Sequence, residues 1–282
     1  MSARVSVVIP AYRNVRTIHD AVASVLEQDV DGLEVVIADH SSGDGTHAVL
    51  EEFATDPRLR SLEPTPLGGG AVRNWQRVTD AAEGEYLLLL PGDDLLRPGA
   101  IAALAGALDR HPHAVLAAGR RDILDAHGRV LIADRGLGPL VGEHDGPDAI
   151  RTTVRAGTNL LGEPGAVLLR RAALERAGGW DGRYAYLIDE ASYARVLLDG
   201  KMVGVDATVA GFRVNTGQWS VALSREQARQ AIEFHHRFAV EHPGVLTERD
   251  VRIGDLRARA AAAARRVFYV VHRRRLRLGQ DS

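Results

Sequence analysis

Short apolar runs alternate with amphipathic segments through the first hundred residues. Four runs rich in Val, Ile and Leu predict buried strands, at residues 5–9, 33–38, 59–62 and 85–90. Apolar residues recur at helical spacing between them, after Asn14, which we expect to cap a helix, and again over 46–53 and 72–82. Strand and helix alternating in this way predict an α/β fold with a Rossmann-like, mostly parallel sheet and helices on both faces.

The second half of the chain continues the alternation less regularly. Helices are predicted at 99–109, 148–156 and 187–198, then from 224 onward and over 247–275. Strands are predicted at 113–119, 129–132, 165–169 and 202–209. Residues 134–147 contain four Gly and two Pro with little periodicity, which predicts an exposed loop. The sheet domain is therefore followed by a C-terminal helical extension.

Composition excludes several classes of protein. The 282 residues are 45% apolar and 26% charged, as in ordinary globular proteins, and the absence of cysteine excludes disulfides and thiolate metal sites. No apolar run approaches the roughly 20 residues that cross a bilayer. The N-terminal sequence MSARVSVVIP lacks the long apolar core of a signal peptide. We therefore expect a cytoplasmic protein.

Arginine is concentrated near the C-terminus. Residues 256–278 contain eight Arg and no acid, although the whole chain carries a formal charge of −2. The remaining chain is therefore acidic and would repel nucleic acid. Apolar residues recur within the segment at helical spacing, at Leu256, Ala260, Ala264, Val267 and Val271. This pattern fits a peripheral helix on anionic lipid at the inner membrane face, and equally a helix packed on the rest of the chain or a homodimer contact.

Polar residues with chemical potential follow the predicted strands. The run ending at Leu90 is followed by Pro91-Gly92 and then by Asp93 and Asp94, which suit a hard divalent cation or simply a turn and helix cap. Strands one and two end at Pro10-Ala11-Tyr12 and at Asp39, and a glycine triplet ending at Gly70 precedes Arg73. Parallel strands bring these ends to one edge, where ligands bind in open α/β sheets. The set could hold a nucleotide diphosphate through a divalent ion.

Six sequence blocks, in order over about residues 4–220, resemble those of family 2 glycosyltransferases, which have the GT-A fold. The blocks are VSVVIPAYRN at 5–14, EVVIADHSSGDGT at 34–46, GAVRN with GEY at 70–74 and 84–86, LPGDD at 90–94, GGWD with DEASYAR at 178–181 and 189–195, and FR at 212–213. The resemblance implies transfer of a sugar from a UDP-, dTDP- or GDP-linked donor to an acceptor hydroxyl, with inversion. The acceptor would be a polysaccharide, a lipid-linked glycan or a small glycosylated metabolite.

The resemblance also implies roles for individual residues. Asp39 aligns with the acid that reads the base, Arg73 with an arginine near the nucleotide, and Asp93 with the last Asp of the DxD motif, which holds Mg²⁺ or Mn²⁺. Asp189 aligns with the general base that takes the proton of the attacking hydroxyl, with Glu190 as the alternative. By position, Glu163, Trp180 and Trp219 would border the acceptor.

Simpler structural roles remain open for the same residues. Asp39 could cap its loop through Ser41, and Asp189 could be the N-cap of the helix at 189–198. Glu163 could end a loop, and the two tryptophans could pack in the core. Four positions depart from the family pattern and bear on metal use and donor choice, namely His40, Pro91, Ile188 and Asn215.

The resemblance divides the chain into a GT-A domain at 1–220 and an Arg-rich helical extension at 221–282. Within the domain, residues 1–97 would bind the nucleotide and 98–220 the acceptor. A catalytically silent nucleotide-binding relative and a sugar-phosphate nucleotidyltransferase are the alternatives. The second lacks support, because no glycine-rich basic signature follows strand one, and a dehydrogenase is disfavoured by the absence of G-x-G-x-x-G there.

Overall fold

The computed structural model describes residues 3–215 and 226–276 of the chain. Within these residues the core is one ten-stranded sheet. The strands are β1 Val5–Ala11, β2 Leu33–Asp39, β3 Leu59–Ser61, β4 Tyr86–Leu89, β5 Leu95–Leu96, β6 Ala114–Leu124, β7 Val130–Arg135, β8 Gly142–Asp145, β9 Val167–Arg170 and β10 Lys201–Arg213. Strands β1 to β4 are the four strands predicted before residue 91, and their ends lie within two residues of the predicted ends.

The sheet has the order β3-β2-β1-β4-β9-β6-β10-β5, with β7 paired to β6 and β8 to β10. Strands β3, β2, β1 and β4 are mutually parallel, and β6 is parallel to β10; these include the longest ladders. Strand β9 runs antiparallel between β4 and β6 and joins the two parallel groups. The mostly parallel sheet predicted from the alternating pattern is confirmed.

Helices cover both faces of the sheet, as predicted. They are α1 Ile18–Leu26, α2 Thr46–Glu51, α3 Gly70–Asp80, α4 Ala100–Arg110, α5 Gly146–Ala156, α6 Arg171–Arg176, α7 Ile188–Leu197, α8 Gln227–Glu241 and α9 Glu248–Val271, with a 3₁₀ turn at Pro164–Ala166. Successive strand residues alternate between the faces, so Leu88 packs beneath α1 and α4, whereas Leu87 and Leu89 pack beneath α3, α5 and α7. Two apolar layers therefore hold the strand ends in fixed positions.

Two local predictions were wrong, and two short elements were missed. Asn14 does not cap α1, because the helix begins at Ile18 and the Asn14 side chain instead accepts from the N–H of Tyr12. The segment 134–147 is not an exposed loop, because Leu137 and Leu140 are buried and β8 pairs with β10. Strand β5 and helix α6 were not predicted, since both are too short to show a period.

The C-terminal helices pack on the sheet domain. Thr247 and Asp250 form a capping box at the start of α9, and Ala258 and Ala262 are buried where the helix crosses α5 and α8. The apolar positions whose contact the sequence left open point outward, with Leu256 and Val271 about 70% exposed. Small residues therefore make the inner face, which permits close approach. Across 3–215 and 226–276, none of the helices combines the length and apolar character needed to cross a membrane.

Candidate active site

The loops that follow β1, β2 and β4 meet at one edge of the sheet. The N–H of Asn14 donates to Thr46 Oγ1 at 2.9 Å, which ties the first loop to the second. Thr17 Oγ1 donates to the carbonyl of Gly92 at 2.9 Å, which ties the first loop to the third. The convergence predicted from the strand ends is therefore observed, and the edge is held by polar bonds between loops that are distant in sequence.

A buried amide fixes the ends of β1 and β2. Asn74, in α3, donates from Nδ2 to the carbonyl of Ala38 at 2.9 Å and to that of Ala11 at 3.3 Å, and its Oδ1 accepts from Thr65 Oγ1. Asn74 is only 2% exposed. An amide can satisfy several buried groups at once, so the Asn of the GAVRN block supports the edge from behind.

Asp39 lies at the end of β2 and is almost fully buried. Its two carboxylate oxygens accept from Ser42, one from the N–H at 3.0 Å and the other from the hydroxyl. The loop is thus capped through Ser42, not through Ser41. Each oxygen keeps a further lone pair, so the cap leaves Asp39 able to accept from a base.

The neighbouring side chains give this corner an aromatic wall. Pro10 and Ala11 continue β1 in register with Ala38 and Asp39. Tyr12 is 48% exposed and meets the His40 ring edge-on at 5.8 Å between centroids. Nε2 of His40 lies 3.0 Å from the carbonyl of Pro66, so His40 supports the next loop.

The residues directly before α3 are glycines, so the backbone of this turn carries no side chains. Gly68 and Gly69 have φ of +91° and +76°, and Gly70 begins the helix. Arg73 folds back over the turn, where its Nη1 donates to the carbonyl of Leu67 at 3.1 Å, and a Cβ on Gly69 would lie 2.7 Å from Arg73 Cδ. Arg73 is exposed and lies on the turn in this structure.

The two adjacent acids after β4 have different surroundings. Asp94 is 2% exposed, and its Oδ1 accepts from the N–H of Arg213 at 2.9 Å, so it closes the turn against β10. Asp93 is half-buried, and among the described residues no other residue donates to its carboxylate. Burial raises the pKa of Asp93 to about 6, and burial together with the charge of Asp93 raises the pKa of Asp94 well above its usual value. Asp94 is therefore committed to structure, and Asp93 is free to bind.

A divalent ion would find a sparse set of protein ligands here. In the part of the chain that the structure describes, no three His, Cys, Asp or Glu side chains gather into a metal site. Mg²⁺ commonly binds through one or two carboxylates and keeps waters and substrate phosphates as its other ligands. The single free carboxylate of Asp93 fits an ion delivered with a diphosphate, but not a resident metal.

Asp189 lies in the first turn of α7, one residue after the helix starts. Because the N-cap is Leu187, the predicted N-cap role of Asp189 is wrong. Its Oδ2 accepts from Asn159 Nδ2 at 3.0 Å, and the same amide donates to the carbonyl of Gly162 at 2.8 Å. Burial, reinforced by the negative charge of Glu163, raises the pKa of Asp189 to about 7. The carboxyl is thus poised to exchange a proton near neutral pH.

Glu190 is more deeply buried than Asp189. It is 7% exposed, and burial together with the charge of Asp189 raises its pKa to about 8. A neutral carboxylic acid is the favoured form at pH 7, which makes Glu190 the weaker candidate for a base.

Glu163 is held by a buried arginine. Arg121, 1% exposed, donates from Nε to Glu163 Oε2 at 2.5 Å and from Nη2 to the carbonyl of Asn159 at 3.2 Å. The pair holds the pKa of Glu163 below its usual value despite burial. The negative charge of Glu163 raises the pKa of both Asp94 and Asp189, so Glu163 is within electrostatic range of the acids on both sides of the site.

The two tryptophans predicted to border the acceptor are Trp180 and Trp219, and the structure describes only Trp180. Trp180 packs edge-on against Trp75 and Tyr193 and donates from Nε1 to Thr79 at 2.8 Å, all within the core. It presents no free face to a sugar, which contradicts its predicted acceptor-side role. Trp219 lies outside the described residues.

Sequence reasoning missed several residues around Asp189. Asn159 lies between the predicted helix at 148–156 and the predicted strand at 165–169. Arg265 and Tyr269 belong to α9, and they affect the pKa of Tyr186, as Asp189 does. The only signal for the last two was their place on a predicted helix whose contact face the sequence left open.

Comparison with known proteins agrees with this geometry. The Glycosyl transferase family 2 model matches residues 6–178. An uncharacterized Mycobacterium tuberculosis protein is 31% identical over 69% of this chain and 62% of its own length. The poly(ribitol-phosphate) β-N-acetylglucosaminyltransferase TarS of Staphylococcus aureus is 30% identical over 39% of this chain and 20% of its own. This chain thus spans less than two thirds of these relatives.

Solved structures show the same fold at low sequence identity. TarS 1–349 in complex with UDP-GlcNAc superposes with a TM-score of 0.68 and 19% identity, over 88% of this chain and 69% of that one. The mannosyltransferase PcManGT of Pyrobaculum calidifontis, in complex with GDP-Man and Mn²⁺, superposes with a TM-score of 0.65 and 18% identity, over 96% and 76%. The chain therefore belongs to glycosyl transferase family 2 and has the GT-A fold.

Proposed function

We propose that this chain transfers a sugar from a nucleotide-diphosphate donor to an acceptor hydroxyl with inversion at the anomeric carbon. The observation that carries the proposal is the carboxylate of Asp189, held by Asn159 and with its pKa raised to about 7, on the same sheet edge as the free carboxylate of Asp93. One group suits a base and the other an ion bound to a diphosphate.

The donor would occupy the corner formed by β1, β2 and α3. Asp39 and Tyr12 would contact the base, and the backbone of Pro10 and Ala11 with Gly70 would lie along the ribose and phosphates. Arg73 would leave the turn to reach the diphosphate. On this proposal residues 1–97 bind the nucleotide, 98–220 bind the acceptor, and 221–282 form the Arg-rich helical extension.

Asp93 would hold Mg²⁺ or Mn²⁺ against the diphosphate. The ion, when bound, supplies positive charge that stabilises the departing nucleotide diphosphate. Arg213 contributes fixed charge nearby, since its Nε donates to the carbonyl of Asp93 at 2.9 Å. Asp189 would accept the proton of the attacking hydroxyl, and Asn159 would hold the carboxylate in the orientation for that transfer.

The nucleotide base is the first property to measure. TarS binds UDP-GlcNAc and PcManGT binds GDP-Man, so UDP, dTDP and GDP are the expected diphosphates. We expect one of them to raise the melting temperature in Mn²⁺ but not in EDTA, because a ligand that binds only the folded state stabilises it. ADP and NAD⁺ serve as controls, and stabilisation by NAD⁺ alone would contradict a nucleotide-sugar site.

We further propose that α9 contacts an anionic membrane surface. Leu256, Val267, Val270 and Val271 form an apolar stripe that is 63–74% exposed, and Arg259 and Arg266 lie beside it. An exposed apolar stripe flanked by arginine suits an anionic bilayer surface.

Co-sedimentation with vesicles tests this surface. Wild type should bind vesicles containing phosphatidylglycerol but not pure phosphatidylcholine, and Val267→Asp with Val271→Asp should abolish binding. Val240→Asp is the matched control, because Val240 is 79% exposed on α8. If the double variant instead converts a dimer to a monomer while wild type ignores vesicles, the stripe is a homodimer contact.

A further inference from the structure

The segment that follows α9 packs against the loop joining β6 to β7. Arg275 donates from Nε to Asp125 Oδ2 at 3.0 Å, and its carbonyl accepts from the N–H of Ala126 at 3.3 Å. Asp125 is fully buried, and its Oδ1 accepts from the N–H groups of His127 and Arg129. Two hydrogen bonds therefore fix the end of the helical extension to a loop of the sheet domain.

A small apolar cluster holds the same junction. Leu276 is 1% exposed and packs with Ile123, near the end of β6, and with Val214, the residue after β10. Phe212, in β10, packs against this cluster. The two residues on either side of Arg213 therefore belong to a cluster that the end of the extension completes.

The side chain of Arg213 joins this loop to the acidic turn after β4. It is 5% exposed, its Nη1 donates to the carbonyl of Ala126 at 3.2 Å, and its Nε donates to the carbonyl of Asp93 at 2.9 Å. Ala126 thus contacts Arg275 through its N–H and Arg213 through its carbonyl. A continuous path of hydrogen bonds therefore runs from Arg275 to Asp93, the acid with the free carboxylate.

Other charged neighbours are poor substitutes for Arg275 in this path. Arg129 lies 3.6 Å from Asp125, but its side chain is 71% exposed, and exposed pairs contribute little. Asp20 lies 3.7 Å from Arg213 and is 60% exposed. Within the described residues, Arg275 is thus the nearest cation to the buried carboxylate of Asp125, and a buried carboxylate is costly without a close partner.

We propose that Arg275 is a positioning residue for Asp93. By holding the loop at 125–129, it keeps Arg213 against the turn that presents the Asp93 carboxylate. Packed side chains and hydrogen bonds carry such an effect because they leave one another little freedom to shift. The inference rests on the proposed function, in which Asp93 holds an ion against the donor diphosphate, and it adds the C-terminal extension to the donor half of the site.

Binding of Mn²⁺ in the presence of UDP, dTDP or GDP is the direct test, followed by the electron paramagnetic resonance signal of the free ion. Arg275→Gln should weaken Mn²⁺ binding by about three- to thirtyfold, the range expected for a residue that acts through intervening side chains. Arg275→Lys keeps a charge beside Asp125 and should recover most of the loss.

Arg274→Gln is the matched control, because it removes the same charge from the same segment. Arg274 is exposed, and its side chain has no hydrogen bond or ion pair within residues 3–215 and 226–276. Mn²⁺ affinity in this variant should stay within about twofold of wild type, as for other surface substitutions. An equal loss in Arg274→Gln and Arg275→Gln would overturn the proposal.

A double variant tests the path itself. Asp125→Asn should weaken Mn²⁺ binding about as much as Arg275→Gln does, and the two changes together should add little, because both break the same contact. Additive losses would show that Arg275 does not act through Asp125 and would overturn the proposal.

All affinities are measured well below the melting temperature, where each variant is folded. If Arg275→Gln lowers the melting temperature of the ligand-free protein but leaves Mn²⁺ affinity unchanged, Arg275 serves the fold alone and the proposal is wrong. If wild type binds Mn²⁺ with none of the three nucleotides, the donor site itself is contradicted. Failure of this inference is thereby distinguished from failure of the proposed function.

Discussion

Asp189→Asn is expected to lower kcat by about 10²–10⁴-fold, the usual contribution of a general base. The amide cannot take a proton from the acceptor, yet it has the same shape and can still accept from Asn159. Donor affinity should therefore stay within about twofold of wild type, since the residue acts on the acceptor hydroxyl. The measurement is steady-state release of nucleoside diphosphate alongside a donor titration.

The pH dependence follows from the same carboxyl. A base works only when ionised, and the pKa of Asp189 is raised to about 7, chiefly by burial. The rate should fall about tenfold for each pH unit below roughly 6 and level off above roughly 8. A rate independent of pH from 5 to 8 would contradict the assignment.

Glu190→Gln is the matched control for Asp189→Asn. Glu190 is the next residue in α7, and its pKa is raised further, to about 8. Its replacement should change kcat by less than about fivefold, far below the contribution of a general base. If Glu190→Gln abolished turnover while Asp189→Asn did not, the roles of the two acids would have to be exchanged.

Asp93→Asn is expected to impair metal-dependent nucleotide binding and catalysis, whereas Asp94→Asn is not, although the residues are adjacent. Asp93→Asn should remove the Mn²⁺-dependent stabilisation by the nucleotide and lower kcat/KM by about 10²–10³-fold, comparable to loss of an electrostatic contact in the transition state. Asp94→Asn should keep both, because its carbonyl oxygen can still accept from the N–H of Arg213. The measurements are thermal shift with Mn²⁺ and nucleotide, and steady-state rates.

Asp94→Ala completes the comparison. Without an acceptor, the buried N–H of Arg213 is left unpaired, at a cost of about 1–3 kcal/mol in the free energy of unfolding. The loss should appear in denaturant unfolding without metal or nucleotide. If Asp94→Asn lost the Mn²⁺-dependent stabilisation by the nucleotide as fully as Asp93→Asn, Asp94 would be a metal ligand. A purely structural role for Asp94 would then be wrong.

The sequence predicted the strands best where hydrophobic runs were continuous and buried on both faces. Strands β1, β2 and β4 are of this kind, and their ends located the candidate site. Strand β5 has two residues and exists only because it pairs with Ala210 and Gly211 of β10, so no local pattern could reveal it.

The misread segments have a common physical cause. Leu137 and Leu140 lie among glycines, and what buries them is contact with residues distant in sequence. Helix α9 shows the same limit. The sequence left open whether Leu256 and Val271 pack inward, and the structure shows that Ala258 and Ala262 make the contact with α5 and α8 instead. A larger apolar residue marks the inner face of a helix only when its partner leaves room for it.

Site residues were predictable where a reactive side chain directly follows a strand. They were unpredictable where their role depends on tertiary contacts. Asp39 and Asp93 could be proposed from their positions. Three contacts follow only from the fold. Asp94 accepts from the N–H of Arg213, Asn159 orients Asp189, and Arg265 of α9 lies against the ring of Tyr186.

The most direct test of the account is a comparison of wild type and Asp189→Asn under saturating donor and Mn²⁺, measuring nucleoside diphosphate release at pH 8 with water as the acceptor of the sugar. The donor is the sugar nucleotide whose base stabilises the wild-type protein. The account predicts turnover by wild type and loss of turnover in the variant, with donor affinity retained. Equal rates in the two proteins would exclude Asp189 as the base, and donor binding without turnover in wild type would identify a catalytically silent relative.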